Sequence, residues 1–586
     1  MNVSRRTRNA EIAMLLEEIA DLLEIDGEDS FRVNAYRAAA RRIESWREPI
    51  ELLHAEGRLR DVPGVGPALG QKIAEYLSTG RLAYVERLRG KFPPGLVELL
   101  QVPGLGPRKA RLVYDKLGVT NLAELEAAAR AGRLRDIPGL GEKTEQNLLT
   151  EIERLQQRGA RHQLGAALAV AEELLASLRE CWAVARADYA GSLRRMLETI
   201  GDIDILVASA SPDQVERFFL GLGQVRDVLR QGPSRTSVIV RDGLQVDLRV
   251  VEPDSWGSAL QYFTGSKEHN VRLRELAVKR GWTLNEYGLF EQEGGKRLVG
   301  ADEADVYEAL GLQWVPPEMR ENLGEIELAA AGKLPRLLEE GDIRADLHVH
   351  SDWTDGGSSV EEMARAAMAR GREYIALTDH SKSLAMTMGL SEERVDEQRA
   401  LVQRLNKKLA PFRILHGTEM DIKLDGQLDY EDETLAGLEY VSASVHTGMN
   451  QGREVMTGRV LRALGNPYVA TLNHPHGRLI GSRVGYELDM DAVIRCAAER
   501  GVAIEINSQP ARMDLDSFWA RQARDAGVKL AINTDAHSVR GFDALRFGVG
   551  IARRAWLGPE DVLNTLTLED LLAHLATRRP GATPGP

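Results

Sequence analysis

The sequence predicts a multidomain fold: an all-α N-terminal region, an α/β unit, a small α+β segment and a C-terminal (β/α) domain of distorted barrel type. Three observations carry that expectation. A glycine turn followed by an amphipathic helix recurs three times before residue 150. From Val184 short β-branched runs replace the helical period, and beyond Ala345 apolar runs alternate with helical ones, most of them closing on a histidine or carboxylate. At roughly 100 to 200 residues per domain, a chain of 586 residues is too long for one core.

Composition excludes several classes. Hydrophobic residues make up 43% and charged residues 28%, as in soluble globular proteins, and no uninterrupted apolar run approaches the roughly 20 residues that span a bilayer. No membrane partner is expected. The opening MNVSRRTRNAEIAMLL runs into the amphipathic EIAMLLEEIADLLE rather than a signal-peptide core. Cys181 and Cys496 are the only cysteines and are far apart, so a reducing, cytoplasmic setting is expected. The net charge of −13 is uneven: +1 over residues 1–160, −5 over 161–320 and −9 over 321–586. A nearly neutral first part must hold an anionic partner by local geometry.

The repeats are VPGVGPALGQKIAEYL (62–77), VPGLGPRKARLVYDKL (102–117) and IPGLGEKTEQNLL (137–149). Their glycine pairs, Gly64 and Gly66, Gly104 and Gly106, Gly139 and Gly141, free the backbone to present amide N–H groups, and each following helix adds a positive N-terminus. That suits a phosphate; a turn that merely joins packed helices is the alternative for any single copy. The three resemble helix-hairpin-helix motifs, which implies a grip on the duplex backbone of DNA without sequence reading. NAYRAAARRI (34–43) through the first turn resembles the lyase domain of DNA polymerase beta. The resemblance implies that Lys72 is the Schiff-base nucleophile for an abasic sugar, a role that needs a lowered pKa. Ala68 stands where animal members carry a second lysine, leaving Lys72 without that cationic neighbour; an exposed structural lysine is the other reading. The expected units are a lyase-like domain over 1–80 and a fingers-like DNA-binding domain over 81–158.

Residues 159–251 form the α/β unit. In GSLRRMLETIGDIDILV (191–207), Asp202 and Asp204 are two apart in a strand, so both carboxylates face one way while Ile203 and Ile205 enter the core. Asp247, inside the apolar LQVDLRVV, supplies a third carboxylate from an adjacent strand. Three such groups can hold two Mg²⁺ or Mn²⁺ ions, while Gly191, Ser192 and Arg195 offer donors to phosphate oxygens. The stretch, Gly201 included, resembles the nucleotidyltransferase palm of the family X DNA polymerases. The likeness extends through YFTGSKEHNVRLRELAVKRGWTLNEYGLF (262–290), within a nucleotide-selection segment over 252–318. There it implies that Tyr262, Phe263 and Gly265 pack against the incoming sugar, and that Asn270 and Arg274 touch nucleotide and template. Tyr262 and Phe263 also read as ordinary core aromatics. Lys267 replaces an acidic residue of the animal enzymes and Val271 a lysine; a cation at Lys267 would strengthen dNTP binding before DNA arrives.

Residues 319–343 read as a helical linker and 577–586 as a disordered tail. Over 344–576 the histidines concentrate: eight of the twelve in the chain lie between 348 and 537. DLHVHSDWTDG contributes His348, His350 and Asp355; TDH, GTEMD and SVH contribute His380, Glu419 and His446; LNHPHG and NTDAH contribute His474, Asp535 and His537. A barrel would deliver these strand ends to one rim. Nine nitrogen and oxygen ligands suit up to three ions of Zn²⁺, Mn²⁺ or Fe²⁺. His416 and His476 read as core or surface residues, and Arg478 and Arg512 either orient phosphate or are surface arginines. The series resembles the polymerase and histidinol phosphatase (PHP) domain family, a distorted TIM-like barrel. This implies metal-dependent 3'-5' exonuclease activity, with 3'-phosphatase or abasic-site endonuclease activity as variants.

Together the resemblances imply a monomeric, nucleoid-associated DNA polymerase and exonuclease of repair, acting on gapped or nicked DNA with dNTPs. A DNA-end-binding scaffold with an idle polymerase site and a histidinol-phosphatase-like enzyme for small molecules stand as alternatives.

Overall fold

A computed structural model describes residues 4–44, 50–62, 64–79, 82–93, 96, 99, 102, 105–142, 144–149, 152, 161–232, 235–240, 243–384 and 387–579. Gly104 and tail residues 580–586 lie outside them. The chain divides into two compact units, residues 1–160 and 161–586.

Among its described residues, the regular elements of the first unit are all helices. Helices α1 (Ser4–Ile25) and α2 (Ser30–Glu44) pair along a stripe that includes Ile12, Leu16, Ile19 and Leu23, the i, i+4, i+7, i+11 spacing of one helix face. Helices α3 (Pro67–Thr79) and α4 (Pro107–Leu117) follow the first two glycine turns. The three turns share one closing hydrogen bond: Val65 N–H donates to Val62 O, Leu105 N–H to Val102 O and Leu140 N–H to Ile137 O. Gly64 and Gly139 take the left-handed conformation, at φ +90° and +87°, which a side chain would disfavour. In each, the second glycine accepts the first helical hydrogen bonds, and proline opens both α3 and α4.

The second unit opens with α5 (Leu164–Arg179). It packs on a five-stranded sheet of β1 (Arg186–Tyr189), β2 (Ile203–Ala208), β3 (Val225–Arg230), β4 (Thr236–Val240) and β5 (Gln245–Val251), ordered β1-β2-β5-β4-β3. Strands β2 and β5 are parallel with Asp204 opposite Asp247. The short helix α6 (Gly191–Arg194) leads towards β2. Helices α7 (Trp256–Thr264) and α8 (Lys267–Lys279) follow, then an antiparallel sheet of β6 (Trp282–Asn285), β7 (Gly288–Glu291) and β8 (Arg297–Val299) with its own core.

The segment 319–343, read as a helical linker, contains a single short α-helix, Glu325–Ala330, and is packed rather than free. Arg320 is fully buried and paired to Glu303 at 2.6 Å, Glu325 is fully buried against His269 at 2.7 Å, and Leu338 N–H donates to Leu557 O. A spacer would leave these charges in water; here each is paired with an opposite or polar partner inside protein.

Seven parallel strands then run in chain order: β9 (Ala345–Val349), β10 (Tyr374–Leu377), β11 (Arg413–Asp421), β12 (Tyr440–Ser444), β13 (Thr471–Leu472), β14 (Ala503–Asn507) and β15 (Leu530–Asn533). A parallel bridge between Val349 and Ala536 links the last strand's end to the first, making a nearly closed barrel. Helix α9 (Leu545–Arg554) lies on the side of the palm sheet. Gly165 of α5 approaches Pro510 and Phe547 so closely that an added Cβ would stand 2.8 Å from the proline ring. Palm residues such as Leu164 and Leu168 and barrel residues such as Phe547 and Val549 belong to one continuous core.

Candidate metal centres and nucleotide site

The barrel gathers all nine expected residues at the strand ends, around Glu419. Its Oε1 lies 2.9 Å from His474 Nε2, 3.3 Å from His446 Nε2 and 3.5 Å from His348 Nε2; Oε2 lies 3.0 Å from His380 Nδ1 and 3.6 Å from His350 Nε2. Asp535 Oδ1 is 3.4 Å from His348 and 3.3 Å from His350, and Asp355 Oδ2 is 3.3 Å from both His380 and His537. Three ligand sets result: His350, Asp355, His380 and His537; His348, His350 and Asp535; His380, Glu419 and His446. His474 joins through Glu419.

The donors fit divalent ions. Ring nitrogens of His348, His350, His380, His446 and His474 are buried with no hydrogen-bond partner, a state whose cost a cation would remove. Burial, then the rings of His537 and His380, pushes His350 down to about 3, leaving it neutral for ligation. Burial alone would raise Glu419, but the imidazoles of His446, His348 and His380 outweigh it and hold the carboxyl well below its usual range.

Sequence reasoning missed the groups behind this shell. Glu505, fully buried on β14, accepts from His348 Nδ1 at 2.7 Å and from His474 N–H at 2.8 Å, and Asp421 Oδ1 faces His446 Nδ1 at 3.3 Å. Such partners fix ring orientation. The signal was present: Glu505 interrupts the apolar VAIEINS as Asp247 interrupts LQVDLRVV. His416 and His476 stand outside the ligand sets, His416 against Gln398 and His476 against Asp514. Arg478 is committed elsewhere: its guanidinium pairs with Glu198 of the palm at 2.7 Å and donates to the carbonyls of Arg512 and Met513. Arg512 does face the cluster, with Nε 3.7 Å from Asp535 Oδ2.

In the palm, the β2–β5 register sets Asp204 beside Asp247, with Asp202 two residues before on the same side. Burial first, then the charges of Asp202 and Asp247, pushes Asp204 up to about 7. These carboxylates are spaced more widely than the barrel ligands: among the described residues, only the barrel sets bring three ligand atoms within 4.8 Å. Asp247 is buried, ion-paired to Arg235 and bonded to Gln245 Nε2 at 3.1 Å. Gly191 (φ +61°) abuts this carboxylate set, since a Cβ there would lie 2.3 Å from Asp204 Oδ2. Ser192 and Arg195 follow, with Arg195 Nε 3.1 Å from Glu321 Oε1 and Nη1 donating to Thr264 O next to Gly265. Gly201 borders Arg161.

Tyr262 and Phe263 are half-buried, edge to face at 5.2 Å, and Arg249 covers Phe263 at 4.2 Å. Asn270 is locked by Gln261 and by Tyr262 O, both at 2.7 Å. Lys267 is exposed at the start of α8, and Arg274 lies on the exposed face of that helix with Val271 and Val278.

In the first unit, a Cβ at Gly66, Gly106 or Gly141 would meet nothing within 4 Å, and none of these glycines has a left-handed φ. Neither packing nor a left-handed backbone demands glycine there. Lys72 lies 4.8 Å over the Tyr84 ring and donates to Ala68 O at 3.3 Å. The cationic neighbour thought missing at Ala68 is supplied from elsewhere: burial, then Arg32 and, against Glu75, Arg87 hold Lys72 below its ordinary value.

Family models match this geometry region by region. A helix-hairpin-helix domain matches residues 7–82, a SAM-like helix-hairpin-helix tandem 96–154, a DNA polymerase beta thumb 259–321 and a PHP domain 346–509. Fold and matches define a class: a polymerase-beta-like chain fused to a PHP barrel. A relative from Bacillus subtilis (strain 168), the DNA polymerase/3'-5' exonuclease PolX, is 37% identical over 567 residues, covering 96% of this chain and 99% of that protein. Probable phosphatases of Thermoanaerobacter sp. (strain X514) and Acetivibrio thermocellus are 29% and 30% identical, covering 38% and 33% of this chain and 89% and 78% of those proteins. The chain belongs to the PolX family, the family X DNA polymerases with a PHP domain.

Proposed function

We propose that this chain is a DNA-directed DNA polymerase that fills short gaps in base excision repair and in end joining, and whose barrel is a metal-dependent 3'-5' exonuclease. One observation carries the reading: Asp204 and Asp247 lie in register on parallel strands, with Asp202 beside them and the Gly191 turn against Asp204. That charge arrangement is costly without cations.

Asp202, Asp204 and Asp247 would hold Mg²⁺ or Mn²⁺, whose charge would lower the pKa of the primer 3'-hydroxyl and offset the triphosphate. Asp247, paired with Arg235 here, would be the third carboxylate to hold them. Ser192 and the Gly191 and Gly201 backbone hold phosphate oxygens, and Arg195 adds a charged fork. Tyr262, Phe263 and Gly265 pack on the deoxyribose, Asn270 and Arg274 reach nucleotide and template, and Lys267 adds a cation for dNTP. The turns of Gly64 and Gly66, Gly104 and Gly106, and Gly139 and Gly141 hold the gapped or nicked duplex. In the barrel His348, His350, Asp355, His380, Glu419, His446, His474, Asp535 and His537 hold up to three Zn²⁺, Mn²⁺ or Fe²⁺ ions, and Arg512 orients the scissile phosphate. The protein works as a monomer at the nucleoid.

The test is extension and degradation of gapped DNA with dNTPs and Mg²⁺ or Mn²⁺. Asp202→Ala/Asp204→Ala is expected to abolish extension and spare degradation, and His348→Ala/His350→Ala to do the reverse. Loss of both activities in either variant would refute two separate centres. A second reading, a phosphatase for small molecules, draws on the probable phosphatases that resemble the barrel; faster turnover of histidinol phosphate than of gapped DNA would favour it.

A further inference from the structure

The loop Arg195–Ile200 joins the two halves of the nucleotide site, the Gly191 turn and the carboxylates of β2. The barrel grips this loop at three points. At the first, Arg554, the last residue of α9, donates from Nη1 to Arg195 O at 2.8 Å and to Glu321 Oε1 at 3.0 Å. The same Glu321 oxygen takes Arg195 Nε at 3.1 Å, so one carboxylate is shared between a barrel arginine and the nucleotide-site arginine. Both guanidiniums are largely buried, at 15% and 12% exposed.

At the second point Met196, in the left-handed conformation at φ +56°, seats on α9 where Gly550 has no side chain; a Cβ there would lie 2.7 Å from Met196 Cε. At the third, Glu198 pairs with Arg478, which also binds the carbonyls of Arg512 and Met513 beside the metal cluster. Neither arginine is spent on the barrel's own chemistry, and both end on one loop of the other domain.

We propose that the barrel is the positioning scaffold of the polymerase centre, with Arg554 and Arg478 as positioning residues for the nucleotide-binding loop. This rests on the polymerase reading above. With Arg554 present, Glu321 divides its charge between two arginines and Arg195 retains freedom to turn a donor to phosphate. Without it, Glu321 draws Arg195 into an exclusive pair and the loop carbonyl loses its anchor. Glu198 without Arg478 is an unpaired carboxylate in a mostly buried place, which costs free energy unless the loop moves to water.

The experiment uses the full-length protein and single-nucleotide gap filling. Arg554→Ala and Arg478→Ala are each expected to raise KM for dNTP about tenfold with a smaller change in kcat, while in Arg554→Ala, whose side chain holds no residue of the metal cluster, degradation of single-stranded 3' ends and bound Mn²⁺ stay at the wild-type level. Arg554→Lys, which keeps one donor and the charge, is expected to recover most of the loss, as is the neutral pair Glu198→Gln/Arg478→Gln relative to Arg478→Ala alone. An unchanged KM, or a parallel fall in melting temperature, extension and degradation without rescue, overturns the positioning role while leaving the polymerase intact. A wild-type protein that cannot extend gapped DNA overturns the polymerase reading itself, and the scaffold with it.

Discussion

Lys72 shows how far one side chain is defined by its neighbours in space. Read along the chain, it lacks a cation because Ala68 replaces the lysine one turn earlier. In the fold, burial first and then the charges of Arg32 and Arg87, which converge on it from other helices, hold its pKa below the ordinary value against the pull of Glu75. A lowered amine pKa is what Schiff-base chemistry needs at neutral pH. Borohydride treatment with 5'-deoxyribose phosphate DNA is therefore expected to trap a covalent adduct that Lys72→Ala abolishes and Arg32→Ala weakens. A trap of equal yield in Lys72→Ala would exclude this lysine. Asp247 was the easier case: a carboxylate in an apolar strand announces a reason for being there. Its partner Arg235, twelve residues earlier across a hairpin, did not announce itself.

The glycine turn shows how function can be separated from folding at the level of an element. Gly64 and Gly139 are held by backbone conformation, and replacing either would strain the turn. Gly106 and Gly141 carry no such constraint and no neighbour within 4 Å. Gly106→Ala is expected to leave folding stability within about 0.5 kcal/mol. The same change is expected to weaken gapped-DNA binding about tenfold, by blocking an approach that contributes about 1.5 kcal/mol per charged hydrogen bond. Chemical denaturation and fluorescence anisotropy measure the two effects separately; unchanged DNA affinity would reduce this turn to a connector. The repeated turns were legible from sequence because their chemistry is local. The strand-like runs of the barrel, YVATLNHP among them, were legible for the same reason; their neighbour order and near-closure were not, because the pairing of β13 with β12 and β14 is a contact across the fold.

Cooperativity belongs to the whole chain. Palm and barrel share one hydrophobic core across Gly165, Phe547 and Met196, whereas residues 1–160 have a core of their own. Calorimetry is expected to resolve a helical transition for the first unit and a single transition containing both palm and barrel. Mn²⁺ at about a hundredfold its Kd should stabilise that shared transition by about 2.7 kcal/mol and leave the other in place. Independent melting of the palm would contradict a shared core.

From its order of residues alone this chain determined the helical first region, the alternating strands and helices, the paired aspartates and the nine histidine and carboxylate side chains that the barrel rim gathers. Each of these is written in a local period or in a charge set against an apolar run, and local rules govern both. Only the tertiary structure decided that Glu419 is the centre of the cluster, that Glu505 stands behind it, that Arg478 pairs with Glu198 of the palm, and that 319–343 is packed rather than free. Those outcomes depend on which buried charges meet across hundreds of residues, and the free energy of burying a charge is set by the partner it meets there.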